Sequence, residues 1–171
     1  MLASTAMAAT AQPAPLREYQ IKAVFLYHFA QFVEWPATAF VNEQSPLIIG
    51  VLGDDPFGAD LDSAAQGEKV GARALEVRRY RRIEDIGTCH VLFISQSESP
   101  RLERVLTTLQ GRSILTVGDL ERFTFRGGMI RFLTQKNKVR MQINLEAARR
   151  EDLTISSKLL RPAGIVNPGR Q

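Results

Sequence analysis

The chain has 171 residues, a length that fits one domain large enough to bury a core without a metal or disulfide staple. Its apolar share of 44% and charged share of 23% are ordinary for a globular protein, and a net charge of +4 points to nucleic acid only if the basic residues cluster. A single cysteine, Cys89, excludes an internal disulfide and a cysteine-rich zinc site, and no stretch reaches the ~18 apolar residues that a membrane span requires.

Residues 1–16 read as the remnant of an export signal or as a disordered leader. They are rich in alanine, and Ala9-Thr10-Ala11 has the small-x-small form of a signal-peptidase site. The basic start and most of the apolar centre of such a signal are missing. Residues 17–166 read as a single α/β domain. Cleavage near Ala11 would leave the mature chain in the periplasm or outside the cell.

Arg17 to Trp35 predicts a helix ended by Pro36, with an apolar stripe of Ile21, Val24, Phe25, His28/Phe29, Phe32 and Trp35 packed on the core. Leu47–Leu52 predicts a strand, and Gly53-Asp54-Asp55-Pro56-Phe57-Gly58 a tight turn before a short helix to about Gln66. Ala74–Arg78 predicts a second strand, Ile83–Ile86 a helical turn, and Cys89–Ile94 a buried strand covered on both faces. Ser97–Leu109 predicts a helix with Ser99 as cap and Pro100 in its first turn, and Gly111 ends it. Ile114–Val117 is the fourth strand. Strands alternating with helices imply a mostly parallel sheet flanked by helices, Rossmann- or flavodoxin-like. Beyond it, Gly127–Thr134 and Lys138–Asn144 alternate around a polar turn and predict a C-terminal antiparallel hairpin with one wet face. Leu145–Arg150 predicts a helix. A last short helix starts at Ser156 and is ended by Pro162 and Gly164.

The loop after the first strand is where an open α/β sheet places ligands, so Asp54, Asp55 and Phe57 are candidate ligand-binding residues. The loop is neither a G-x-G-x-x-G nor a P-loop, and two carboxylates repel a phosphate. A plain strand-to-helix turn capped by Asp fits the same residues. Arg78-Arg79-Tyr80-Arg81-Arg82 is the densest basic run. It reads as a solvated strand end paired with Glu84, Asp85 and other acids. Cys89 reads as a packed core thiol. Both histidines, His28 and His90, lie in apolar runs, and neither a serine elbow nor an H-E-x-x-H occurs. No catalytic residue, metal ligand or cofactor is assigned. Gln142, Asn144 and Lys158 are candidate partner-binding residues on the wet face of the hairpin and the last helix.

Several blocks in order resemble the YfiR-type periplasmic regulators. They are Tyr19–Tyr27 with Phe32-Val33-Glu34-Trp35-Pro36, Gly53–Gly58, Cys89–Ser95, Leu115–Asp119, Gly127–Ile130, Gln142-Ile143-Asn144 and Ser156–Leu160. The resemblance implies a periplasmic α/β protein, often dimeric, that is a regulator and not an enzyme. It implies restraint of a membrane-bound diguanylate cyclase through that enzyme's periplasmic domain, and so control of cyclic-di-GMP and biofilm. Neither nucleic-acid binding nor direct membrane insertion is expected. Characterised members carry disulfides, so the lone Cys89 departs from the pattern. The other reading of the residues is a ligand-binding transport accessory, or an enzyme with a pocket at Gly53–Gly58.

Overall fold

A computed structural model describes residues 14–168, so the expected cleavage site at Ala9-Thr10-Ala11 lies outside the described residues. In chain order the elements are α1 (Ala14–Phe32), β1 (Val33–Glu34), a 3-10 turn (Ala37–Ala39), β2 (Leu47–Leu52), α2 (Ala59–Ala65), β3 (Lys69–Val70) and β4 (Arg73–Tyr80). A second 3-10 turn (Ile83–Asp85) precedes β5 (Val91–Ile94), and a 3-10 stretch (Gln96–Arg101) runs into α3 (Leu102–Leu109). Then come β6 (Leu115–Gly118), β7 (Ile130–Gln135), β8 (Lys138–Asn144), α4 (Leu145–Arg150), β9 (Thr154–Ile155), α5 (Ser157–Leu160) and β10 (Gly164–Val166).

The eight-stranded sheet has the order β10-β8-β7-β6-β5-β2-β4-β3. The pairings among β4, β2, β5, β6 and β7 are all parallel. Their order matches the flavodoxin-like doubly wound arrangement. The mixed α/β architecture read from the sequence is therefore the observed one, with helices against a mostly parallel sheet. β7 and β8 form the expected antiparallel hairpin. Its turn residues, Lys136 and Asn137, have φ of 49° and 58°, the mirror-image turn that matches the twist of two strands.

The fully apolar strands β2 and β5 are buried along their whole length, because helices cover both faces. One core lies under α1, α2, α4 and α5 and holds Leu26, Phe29, Ile49, Val51, Phe57, Leu61, Phe93 and Phe132. The other lies under α3 and holds Ile48, Leu52, Leu92, Leu102, Val105 and Phe123.

Four local expectations change. The first helix begins at Ala14, inside the stretch expected as leader, and stops at Phe32 before reaching Trp35. β-branched Val33 leaves it to pair with Ile155, and the Ser156 amide donates to the Phe32 carbonyl at 2.9 Å. The helix expected over 97–109 is 3-10 as far as Arg101, because Pro100 has no N–H for a continuous α ladder. The chain does not end its structure at Gly164 but adds β10 parallel to β8. Finally, α1 is apolar on two faces, and of the helix residues in the stripe read from the sequence only Phe29 lies on the buried one. Ala23, Leu26, Phe29, Ala30 and Val33 face the core, whereas Ile21 is 40% and Val24 46% exposed. Phe25 and Phe32, expected as buried, are half-buried.

Candidate functional site

The chain leaves β2 toward β4 on one side and returns to β5 on the other. The switch point therefore lies between the carboxyl ends of β2 and β5, where open sheets hold ligands. Gly53 ends β2 with φ of +89°, and a Cβ there would lie 2.3 Å from Ser97 Oγ. Only glycine supplies both that conformation and that approach. The Gly53 amide donates to the Tyr80 carbonyl at 2.9 Å, and the Asp54 amide donates to Ser97 Oγ at 2.9 Å. The two loops at the switch point are thus tied to each other across the crevice.

The three residues expected to bind a ligand have separate fates. Asp55 Oδ1 accepts from the Phe57 amide at 2.8 Å, a local turn, and its Oδ2 accepts from Arg79 Nε at 2.7 Å. Arg79 also donates to both oxygens of Asp62 and to the Gly58 carbonyl. The hydrogen bonds from Arg79 hold the Asp62 carboxyl below its usual range, and chiefly those to Asp62 raise the guanidinium. Phe57 is 3% exposed and packs edge-on against Phe93 and Tyr19, so it is a core residue and not an accessible ligand contact. Asp54 alone of the three is exposed with its carboxylate uncommitted, in a cleft of about 500 Å³ shared with Arg81, Ser97 and Arg101.

Beside this loop lies a buried polar cluster that the sequence reading missed. Lys22 is 2% exposed, and its Nζ donates to Asp119 Oδ2 at 2.7 Å and pairs with Glu18 at 2.6 Å. Tyr19 Oη donates to the same Oδ2 at 2.8 Å, and Gln96 Nε2 donates to Oδ1 at 3.0 Å. Burial, then the Asp119 charge, keeps the Tyr19 phenol protonated well above its usual range. Three donors, two from α1 and one just past the end of β5, converge on one carboxylate at the end of β6, which fixes α1 across the carboxyl edge of the sheet. A lysine among apolar neighbours in Gln20-Ile21-Lys22-Ala23-Val24 was the available signal. Its partner, 97 residues away, was not legible.

That anchor sets the rotation of α1 and leaves its second apolar face outward. Ile21, Val24, Phe25, His28 and Phe32 follow helical spacing along this face. The Phe25 and His28 rings are 6.3 Å apart, as are those of His28 and Phe32, and Lys158 Nζ on α5 lies 5.4 Å from the Phe32 ring centre. A shallow cavity of about 430 Å³ is lined by Arg17, Gln20, Ile21, Val24, Phe25 and His28.

Of the expected partner-binding residues, Lys158 is exposed and Gln142 half-buried. Asn144 is 4% exposed, so the expectation that it faces solvent is corrected. Its Oδ1 caps α4 by accepting from the Ala147 amide at 3.0 Å, and its Nδ2 donates to the Thr124 carbonyl at 3.0 Å. Gln142 Oε1 accepts from Thr124 Oγ1 at 3.0 Å, so both side chains hold the 119–129 loop to β8. Lys158 therefore stands apart from Gln142 and Asn144 in role and joins the stripe on α1.

Cys89 is buried, and that burial pushes its thiol up to about 12, so it is an inert packed thiol in this setting. Among the described residues no group of His, Cys, Asp and Glu is arranged to hold a metal ion, and no helix is long and apolar enough to cross a membrane. In the basic run Arg78 pairs with Glu76, Arg79 with Asp55 and Asp62, and Arg82 with the expected Asp85, whereas Glu84, also expected as a partner, pairs with Arg104 on α3.

No curated protein matches the sequence. The family model described as YfiR/HmsC-like matches residues 19–163, which takes in the Lys22 cluster, the outer face of α1 and Lys158. The chain belongs to the YfiR/HmsC-like family.

Proposed function

We propose that this protein is a periplasmic regulator that acts by binding. It restrains a membrane-bound diguanylate cyclase through that enzyme's periplasmic domain and so lowers cyclic-di-GMP. The family match over residues 19–163 carries the reading. The outer stripe of α1 supplies a surface for it. Large apolar side chains at Ile21 and Val24 sit in the open on a helix whose opposite face is already packed. Lys158 at the end of the stripe adds a cation that orients an acidic partner surface. Asp55 and Phe57 are committed within the protein, which weighs against a ligand pocket at Gly53–Gly58.

The test is cyclic-di-GMP measured in cells that carry the cognate cyclase. Deleting the regulator should raise the nucleotide, and Val24→Glu or Lys158→Glu should do the same with melting temperatures close to that of the parent. A deletion that leaves cyclic-di-GMP unchanged refutes the regulatory reading. Derepression by deletion but by neither substitution refutes only the surface.

A further inference from the structure

His90 stands at the amino edge of the sheet, just before β5, and is 1% exposed. Its Nδ1 lies 3.0 Å from the Ile48 backbone nitrogen. A backbone amide can only donate, so Nδ1 carries no proton there. The proton is on Nε2, which donates to the Ala39 carbonyl at 3.0 Å. Phe40 stacks on the ring at 4.3 Å with an angle of 14°. Trp35 meets the ring edge-on at 6.1 Å, and its Nε1 donates to the His90 carbonyl at 3.2 Å. The near part of the 35–46 segment, which links β1 to β2, is thus fastened to the sheet at one neutral imidazole. Arg73 holds its far end, stacking on Phe40 at 3.6 Å and donating to the Asn42 and Ser45 carbonyls.

A proton on Nδ1 would set two donors 3.0 Å apart and orphan the Ile48 amide. It would also place a cation among Phe40, Trp35 and the apolar ends of β2 and β5. No neighbouring group compensates. β2 and β6 carry no titratable side chain, and the adjacent Cys89 is neutral. The 35–46 segment carries only Glu43, which is exposed. On β4, Arg73 and Arg78 both repel the charge, and Glu76 is paired with Arg78. Arg112 is spent on the Ile86 and Gly87 carbonyls.

We propose that His90 is an acid-release latch: protonation of its Nδ1 detaches residues 35–40 from the amino edge of the sheet, while Arg73 keeps its hold on Asn42 and Ser45 and the rest of the fold stands. Burial, foremost, holds the imidazole below its usual 6.5. The detached form therefore takes up the proton more readily than the latched form. The latch is closed above pH 6.5 and loosens as pH falls from 6.5 through the lower value of the closed state. The device goes beyond the regulatory reading and does not depend on which partner the α1 stripe meets.

Trp35 is the only tryptophan, so the intrinsic emission of the full chain reads the latch directly. Titration from about pH 8 to about pH 4 should give a reversible red shift of that emission below pH 6.5, with far-UV circular dichroism unchanged. His90→Gln, whose amide can accept from Ile48 and donate to Ala39, should abolish the shift, and His28→Gln should retain it. The proposal is overturned if wild-type emission stays flat, if His90→Gln titrates like the wild type, or if emission and dichroism fall together as one unfolding step. Should His90→Gln fail to fold, the His90 ring resonance of the wild type decides. Its titration must coincide with the Trp35 shift and with loss of exchange protection at the Ile48 amide, and a mismatch overturns the latch.

Discussion

Asp119→Ala removes the carboxylate on which α1 is anchored. It leaves Lys22, 2% exposed, with Glu18 as its remaining anion, and strands the Tyr19 hydroxyl and the Gln96 amide. Deleting one partner of a buried ion pair costs ~3–5 kcal/mol. Glu18 keeps part of the compensation, since its side chain is 30% exposed and already touches Nζ, so the lower end, ~3 kcal/mol, is expected. For a domain of this size that is a fall of roughly 6–12 °C in melting temperature. Urea unfolding followed by circular dichroism measures it, and the slope should be unchanged if only stability has moved. The double variant Lys22→Met/Asp119→Leu removes both charges together and should be more stable than Asp119→Ala alone. A loss below ~1 kcal/mol for Asp119→Ala, or a double variant worse than the single one, would show that the cluster is no anchor.

Phe29→Ala should cost ~3–5 kcal/mol and Val24→Ala under ~0.5, because the first is in the core and the second is on the outer face of α1; equal losses would mean that the helix is rotated otherwise. Asn144→Ala should cost ~1–2 kcal/mol by urea unfolding, since it removes the cap of α4 and the bond to the Thr124 carbonyl, and Asn144→Asp should recover the capping part only. Cys89 should resist a thiol-specific disulfide reagent in the native protein at mildly alkaline pH and react fully once denatured; rapid native labelling would contradict its burial and raised thiol. Gly53→Ala should destabilise by about 1–3 kcal/mol through its positive φ and the approach to Ser97, measured against Gly67→Ala, where φ is also positive but the space is open.

Period and punctuation made much of the fold legible. β2 and β5 announced themselves as unbroken apolar runs, and the hairpin by alternation around a short polar turn. The pairs Val33–Ile155 and Glu34–Thr154 were invisible because a two-residue strand has no period. The stripe on α1 was misplaced for a different reason. A helix apolar on two faces gives no amphipathic contrast, so which face is buried is decided by what it meets. Here that is Asp119, a contact no local pattern encodes. At the site, the Gly53–Gly58 turn was legible, but the engagement of Asp55 by Arg79 and the capping by Asn144 depend on register between distant strands. Lys158 was identified from sequence as a surface cation. Its neighbour in space, Phe32, links it to the α1 stripe, a placement that needed the fold.

The long span of the α1 anchor has a consequence for how the chain acquires its structure. Tyr19 and Lys22 wait for a partner 100 and 97 residues downstream, and Val33 waits for Ile155. A chain emerging amino end first therefore presents an apolar helix long before its charged seat and its closing ribbon exist. Such non-local closure slows folding, because the entropy of a long loop is lost before any contact rewards it. The native state is completed only after nearly the whole polypeptide is free to close on itself.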